Sequence, residues 1–319
     1  MIPKKWLEEA KDRIRPYIKH TPIVYDSKHE LYLKWENHQT THSFKDRGAL
    51  NKILSLQPWE IERGLVTASA GNHGQGVAYA GNLVKASVKI FASEHAVRTK
   101  IEAMRALGAE VVQVPGGYRQ AEQAGLAYLK SQGGTWVSPY NDAQVIAGQA
   151  SIAFEILEEL PELISTPWVV PVSGGGLISG IGAAIKEFSD STIPVKDRTL
   201  IGVQSQASPF MHALYYTGSQ DGFTEEKSLA DGLSGPVEEG SITIPLTKKY
   251  VDDIILVSEN EIEEGIQFAW KEYNEVIEGS AAVVLAAIIS GKIKIRPAVV
   301  IISGGNIQPE VHQRIIKSS

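Results

Sequence analysis

Short runs of valine- and isoleucine-rich sequence, separated by longer helical stretches, restrict this chain more than any other feature. The runs cover residues 65–69, 87–92, 110–114, 168–172, 200–204, 254–257 and 298–302. Several lack the alternation of a half-exposed strand, as expected where both faces of a sheet are covered. Helical stretches lie between them at residues 97–107, 119–132, 146–160, 178–188 and 261–273. Strands alternating with helices predict an α/β fold with parallel sheets under helices. Residues 215–245, rich in glycine, serine and charge, break the pattern and read as a long surface excursion.

A length of 319 residues suggests about two domains. The formal charge of -6 argues against nucleic acid or an anionic membrane as the main partner. With no cysteine, disulfides, thiolate nucleophiles and cysteine-ligated zinc are excluded. The first residues have no apolar stretch behind them, and an amphipathic helix is expected from Trp6 onward, so no signal peptide is expected. The longest apolar stretch, 281–289, is too short to span a bilayer. A cytoplasmic protein is the expectation.

Glycine-rich segments follow three of the strands: Ala-Gly-Asn-His-Gly-Gln-Gly at 70–76, Ser-Gly-Gly-Gly-Leu at 173–177 and Ser-Gly-Gly-Asn at 303–306. The first two run into a helix, and the third is a candidate for doing so. In an open α/β sheet this puts all three at strand carboxyl ends, where ligands bind. Consecutive glycines at 174, 175 and 176 let several backbone N–H groups converge, and the following helix adds positive potential. A phosphate monoester fits such a cup; a tight turn without a ligand is the alternative. A dinucleotide fits poorly, because Ser179 stands where the third glycine of its fingerprint should be. The next strand ends in Gln204 rather than an acid.

Ser43-Phe44-Lys45-Asp46-Arg47-Gly48 is weak alone, since a lysine at a helix start is usually solvated. A lysine amine forms a Schiff base with an aldehyde once burial or nearby positive charge lowers its pKa. Lys45 and the glycine cup together describe pyridoxal 5'-phosphate.

Those four segments occur in the order in which fold-type II pyridoxal-phosphate enzymes carry them, and the chain resembles that group, whose fold is tryptophan synthase β-like. Within it the chain is most similar to the threonine/serine ammonia-lyases and their relatives, the serine racemases. The likeness runs essentially the whole chain. It takes in His20-Thr21-Pro22, Val145-Ile146-Ala147-Gly148-Gln149, Ala230-Asp231-Gly232 and Ile277-Glu278-Gly279-Ser280. The resemblance implies two open, twisted, mostly parallel sheet domains with the cofactor between them. Residues 1–54 and 142–319 would form the larger, phosphate-binding domain, and 55–141 a smaller domain that closes on substrate. It implies that Lys45 is the Schiff-base lysine and the base that takes the Cα proton. Phe44 would lie against the pyridine ring, and Asn72 would bond the ring hydroxyl. Ser69, Ala70, Gly71, Asn72 and His73 would wrap the substrate carboxylate. Gly174, Gly175, Gly176 and Leu177 would hold the phosphate. Ser303 would face the pyridine nitrogen with Gly304 close by, and Glu278 would lie near the ring. A neutral hydroxyl at that nitrogen does not enforce a pyridinium, which weakens the electron sink and favours expulsion of a β-hydroxyl. On residue type alone, Ser303 suits a helix N-cap equally well.

Some positions depart from the relatives. Ala70 stands where racemases of eukaryotes carry a second serine as acid/base, and alanine has no proton to give. Residues 204–210 lack the two carboxylates of the racemase divalent-metal site, so no metal is expected there. Tyr140, in Pro139-Tyr140-Asn141-Asp142, either lines the β-carbon pocket or packs in the core. His42 replaces a usual glycine, and is either exposed or crowds the substrate entrance. Asp46 gives the motif a threonine-synthase cast. The regulatory domain of biosynthetic threonine deaminases has no counterpart after Asn306, so feedback through it is not expected.

The function expected is β-elimination from L-threonine, L-serine or both, giving 2-oxobutanoate or pyruvate and ammonia. The alternatives within the family are a serine or aspartate racemase and a 3-hydroxyaspartate dehydratase. The last needs a basic group for a second carboxylate, for which His42, His73 and Arg119 are conceivable. A non-catalytic amino-acid or anion-binding protein is the reading from another class. The expected partner is a small amino acid, with no nucleic acid or membrane, and the expected assembly is a homodimer or homotetramer.

Overall fold

Two separate sheets take up the strands in the computed structural model, which describes residues 2–188 and 194–317. In chain order the strands are β1 (Ile23–Asp26), β2 (Leu31–Trp35), β3 (Leu65–Ala68), β4 (Val88–Ser93) and β5 (Glu110–Val114), then β6 (Thr135–Trp136), β7 (Trp168–Pro171), β8 (Leu200–Ser205), β9 (Asp253–Val257) and β10 (Ala298–Ile302). The larger sheet runs β1-β2-β10-β7-β8-β9, and the smaller β5-β4-β3-β6. Every pairing is parallel except that of β1 with β2. β7, β8 and β10 are buried along their whole length, which explains their unbroken apolar runs.

Three strands escape the sequence reading, each for a physical reason. β1 is an edge strand whose middle residues are exposed, and β6 is two residues long. β2 carries Lys34, fully buried on an ion pair with Glu155 at 2.7 Å, so no run of valine marks it. The helix expected at 146–160 starts earlier, as Ala143–Glu159, because Asp142 caps it by accepting from the backbone N–H of Gln144 and Val145. Residues 215–245 are not merely a surface excursion: Ala230, Leu233 and Val237 are buried. After β10 no helix begins until Pro309–Lys317, so Ser303 caps nothing.

The sheet order positions the site. β2, β10 and β7 are neighbours and parallel, so the segments after their carboxyl ends lie side by side. These are the loop into the helix Lys45–Leu54, the segment from Ser303 onward, and the glycines that open the helix Gly176–Ala183. The helix Lys45–Leu54 lies hard against Ala143–Glu159. A Cβ on Gly148 would meet the Arg47 carbonyl oxygen at 2.4 Å, so the crossing requires glycine there. Gly279–Ile289 is apolar on every side and sits in the core behind the large sheet. Among the described residues no helix is long and apolar enough to cross a membrane.

Candidate active site

The approach to Lys45 is a tight reversal after β2. His42 sits there with φ of 60°, a left-handed conformation that favours glycine, which accounts for the residue expected at this position. Its side chain is exposed and does not crowd the interior. The reversal is tied to the 303–305 segment. The Phe44 N–H donates to the Ser303 carbonyl at 3.0 Å and the Gly305 N–H to the His42 carbonyl at 2.9 Å. Asp46 accepts from the Thr41 N–H at 2.8 Å and from the Thr41 hydroxyl, and burial pushes its carboxyl up to about 6. Asp46 is therefore a brace for this loop. Lys45 Nζ donates to the Pro139 carbonyl at 2.8 Å and lies 5.2 Å from the centre of the Phe44 ring. Burial lowers its pKa to about 8, with Glu278 pulling the other way.

Gly175 takes φ of 85° just before the helix Gly176–Ala183, leaving the first N–H groups of that helix to point outward together. A Cβ on Gly174 would fall 2.5 Å from the Tyr140 ring, and one on Gly176 2.9 Å from Tyr140 Cβ. Tyr140 thus packs directly on the glycine loop, with its hydroxyl accepting from the Glu238 N–H at 2.8 Å. Beneath the loop, Thr247 Oγ1 is buried without a hydrogen-bond partner among the described residues.

Between β3 and the helix Asn72–Leu83, Ser69 Oγ accepts from the N–H groups of Gly71 at 3.1 Å and Gly74 at 3.0 Å. Its hydroxyl shapes the turn and leaves backbone donors for a ligand. His73 Nε2 lies 3.0 Å from the Val137 carbonyl, which can only accept, so Nε2 carries the proton. Burial, followed by the charge of Lys45, lowers its pKa to about 3 and keeps the ring neutral. His73 is no cation for a second carboxylate, and Arg119 is exposed at the start of Tyr118–Gln132.

Asn72 Nδ2 donates to Glu278 Oε1 at 2.6 Å, and Asn306 Nδ2 donates to Asn72 Oδ1 at 2.8 Å and to the Thr41 carbonyl at 2.9 Å. Glu278 is wholly buried; desolvation pushes its carboxyl up to about 7, and the nearby Lys100 opposes that. Its Oε2 has no hydrogen-bond partner among the described residues. A Cβ on Gly304 would meet Glu278 Oε1 at 2.7 Å. The Ser303 hydroxyl makes no hydrogen bond among the described residues. The sequence reading missed Asn306 as a partner of Asn72. It also missed Lys100 altogether, whose ammonium pairs with Asp231 at 2.6 Å and lies 3.8 Å from where a Gly71 Cβ would be. Nothing in the spacing around Lys100 marks it.

The groups gathered here are a half-buried amine with a lowered pKa, a glycine cup of backbone donors, and, without partners among the described residues, a serine hydroxyl and a carboxyl oxygen. They suit a planar aldehyde carrying a phosphate, with an amino acid beside it. Fold and site together define an α/β enzyme that works through pyridoxal 5'-phosphate. Residues 14–304 match the family described as "Pyridoxal-phosphate dependent enzyme". The chain is 39% identical to an L-threonine ammonia-lyase of Thermotoga maritima, with 99% of this chain and 78% of that one covered. Its structure resembles serine racemase from Dictyostelium discoideum, with TM-score 0.86, 32% identity and coverage of 96% and 99%. It also resembles the processed form of threonine deaminase isoform 2 from Solanum lycopersicum, with TM-score 0.87, 28% identity and coverage of 98% and 92%. The chain belongs to the pyridoxal-phosphate-dependent enzymes, of fold type II.

Proposed function

We propose that this enzyme removes ammonia from L-threonine, L-serine or both, giving 2-oxobutanoate or pyruvate. The observation that carries the reading is one half-buried amine, Lys45, with its pKa lowered by desolvation, facing a loop that offers backbone donors but, at Ala70, no acid. Proton traffic at Cα is then served by one lysine, which suits elimination better than inversion. When bound, pyridoxal phosphate supplies an electron sink conjugated to the substrate's Cα. Lys45, with its pKa near 8, both anchors that group and accepts the Cα proton. The 69–73 turn orients the substrate carboxylate, and the glycine cup holds the phosphate. Ser303 leaves the ring nitrogen without a carboxylate, and Glu278, protonated up to near neutral pH, adds no fixed negative charge beside it. The family similarity to threonine ammonia-lyases supports the choice of substrate.

The test compares wild type with Lys45→Ala, reading visible absorption and 2-oxo acid formation from each amino acid. Absorption in wild type, altered in the variant, with oxo acid from wild type alone is the expected result. Absorption without oxo acid from either amino acid would move the function to a racemase or hydroxyaspartate dehydratase, and no absorption even with added cofactor would sink the site assignment. The proposed setting is the cytoplasm, carried from the sequence reading of the first residues and the apolar stretches, and the proposed assembly a homodimer or homotetramer, carried from the family resemblance; light scattering on the purified protein tests the second.

A further inference from the structure

Charge in the cleft is unevenly committed. Lys45 is engaged at the cofactor position, His73 is neutral, and His42 and Arg119 are exposed. Among the described residues, a further cation stands at the substrate turn. Lys100, on the helix Arg98–Ala106, keeps only 11% of its side chain exposed. Its Nζ and Cδ lie 3.8 Å and 3.7 Å from the Cβ that Gly71 would carry. Gly71 is the centre of the turn assigned above to the substrate carboxylate. The ammonium is held at 2.6 Å by Asp231, whose side chain is 52% exposed, and Glu278 lies near enough to act on its charge. Asp231 sits in a turn fixed independently, since the Gly232 N–H donates to Ser280 Oγ at 2.9 Å. Replacing its carboxylate therefore leaves the backbone in place.

We propose that the Lys100–Asp231 pair sets the side-chain charge this site accepts. With Asp231 in place the ammonium is already neutralised, and an amino acid bearing a β-carboxylate meets a desolvated site with no unpaired cation. Hydroxyl side chains suffer no such cost. Without Asp231 the same ammonium is free for a charge-assisted bond to a β-carboxylate. Specificity here comes from a cation that is present and occupied, a device working against the wrong substrate. The inference rests on the amino-acid lyase reading and names the substrate class within it.

The experiment titrates holoenzyme calorimetrically with L-alanine and L-aspartate, which differ by the β-carboxylate alone, and takes the ratio of their dissociation constants. Asp231→Asn should shift that ratio toward aspartate by at least about tenfold, or roughly 1.4 kcal/mol. Asp231→Asn combined with Lys100→Met should return it to the wild-type value. Lys100→Met alone, which leaves Asp231 unpaired, should shift it further against aspartate. An unchanged ratio in Asp231→Asn overturns the proposal. So does a gain that persists in the double variant, since the gain would then come from lost repulsion and not from Lys100. Should Asp231→Asn fail to fold, an unmoved ratio in Lys100→Met alone overturns it equally. Oxo acid formation by wild type is scored separately, so failure of the lyase reading is distinguishable from failure of this pairing.

Discussion

Glu278 behaves unlike a free carboxyl. Its carboxyl is raised by burial from an ordinary 4.5 to about 7. A group raised in the folded state contributes stability in full below its unfolded pKa, and that stability is lost as pH climbs through the folded one. Between about pH 4.5 and 7 the cofactor-free wild type should therefore lose on the order of 3 kcal/mol from this residue. Glu278→Gln keeps an oxygen for Asn72 and removes the titration. The variant's melting temperature should gain on wild type as pH rises across that window; a constant difference would mean the carboxyl is not buried as described. Residues like this were legible in part. Lys45 and the glycines announce themselves because backbone geometry and amine chemistry demand those residue types. Lys100 and Asn306 do not, because their partners are spatial neighbours, Asp231 and Asn72, far away in sequence.

The helix Lys45–Leu54 is held from below by an ion network. Arg47 is fully buried, with Nε 2.7 Å from Glu36 Oε2 and Nη1 2.7 Å from Glu155 Oε1, while Lys34 on β2 reaches Glu155 at 2.7 Å. Burial alone would lower the Arg47 pKa, but Glu36 and then Glu155 hold it above its ordinary value. Glu155 is held well below the usual carboxylate range: desolvation raises it, and Arg47 and then Lys34 more than reverse that. Its stabilising effect is thus present above the ordinary carboxylate pKa and disappears only in strong acid. Arg47→Ala leaves two carboxylates buried without it and should cost about 3–5 kcal/mol, read from the urea midpoint. A loss below about 1 kcal/mol would show that water reaches the network. The same network hid β2 from the sequence reading, since a strand that buries a lysine carries no apolar signature. The parallel strands of the core were legible because burial on both faces writes itself as valine and isoleucine.

At the scale of the molecule, Lys100–Asp231 is the one ion pair among the described residues that joins the 55–141 segment to the rest. Hydrogen bonds from Asn306 to Asn72 and from Asn72 to Glu278 cross nearby. We propose that the smaller sheet closes across this junction when substrate binds. Hydrogen exchange of the holoenzyme with and without L-alanine should then slow at residues 69–76 and 98–106 while the large sheet stays constant; uniform exchange would mean the sheets do not move relative to each other. The division into two sheets came to the sequence reading through family likeness, because a run of valines does not say which sheet it joins.

The order β2-β10-β7 also bears on how the molecule comes into being. The strand between β2 and β7 in the larger sheet is the last of its six in chain order. Until residues 298–302 have left the ribosome, β2 and β7 have no strand to join them, and the loops that carry Lys45 and the glycine cup stay apart. Assembly of the cofactor pocket therefore waits for β10, and a nascent chain awaiting that strand exposes strand edges that a chaperone can shield.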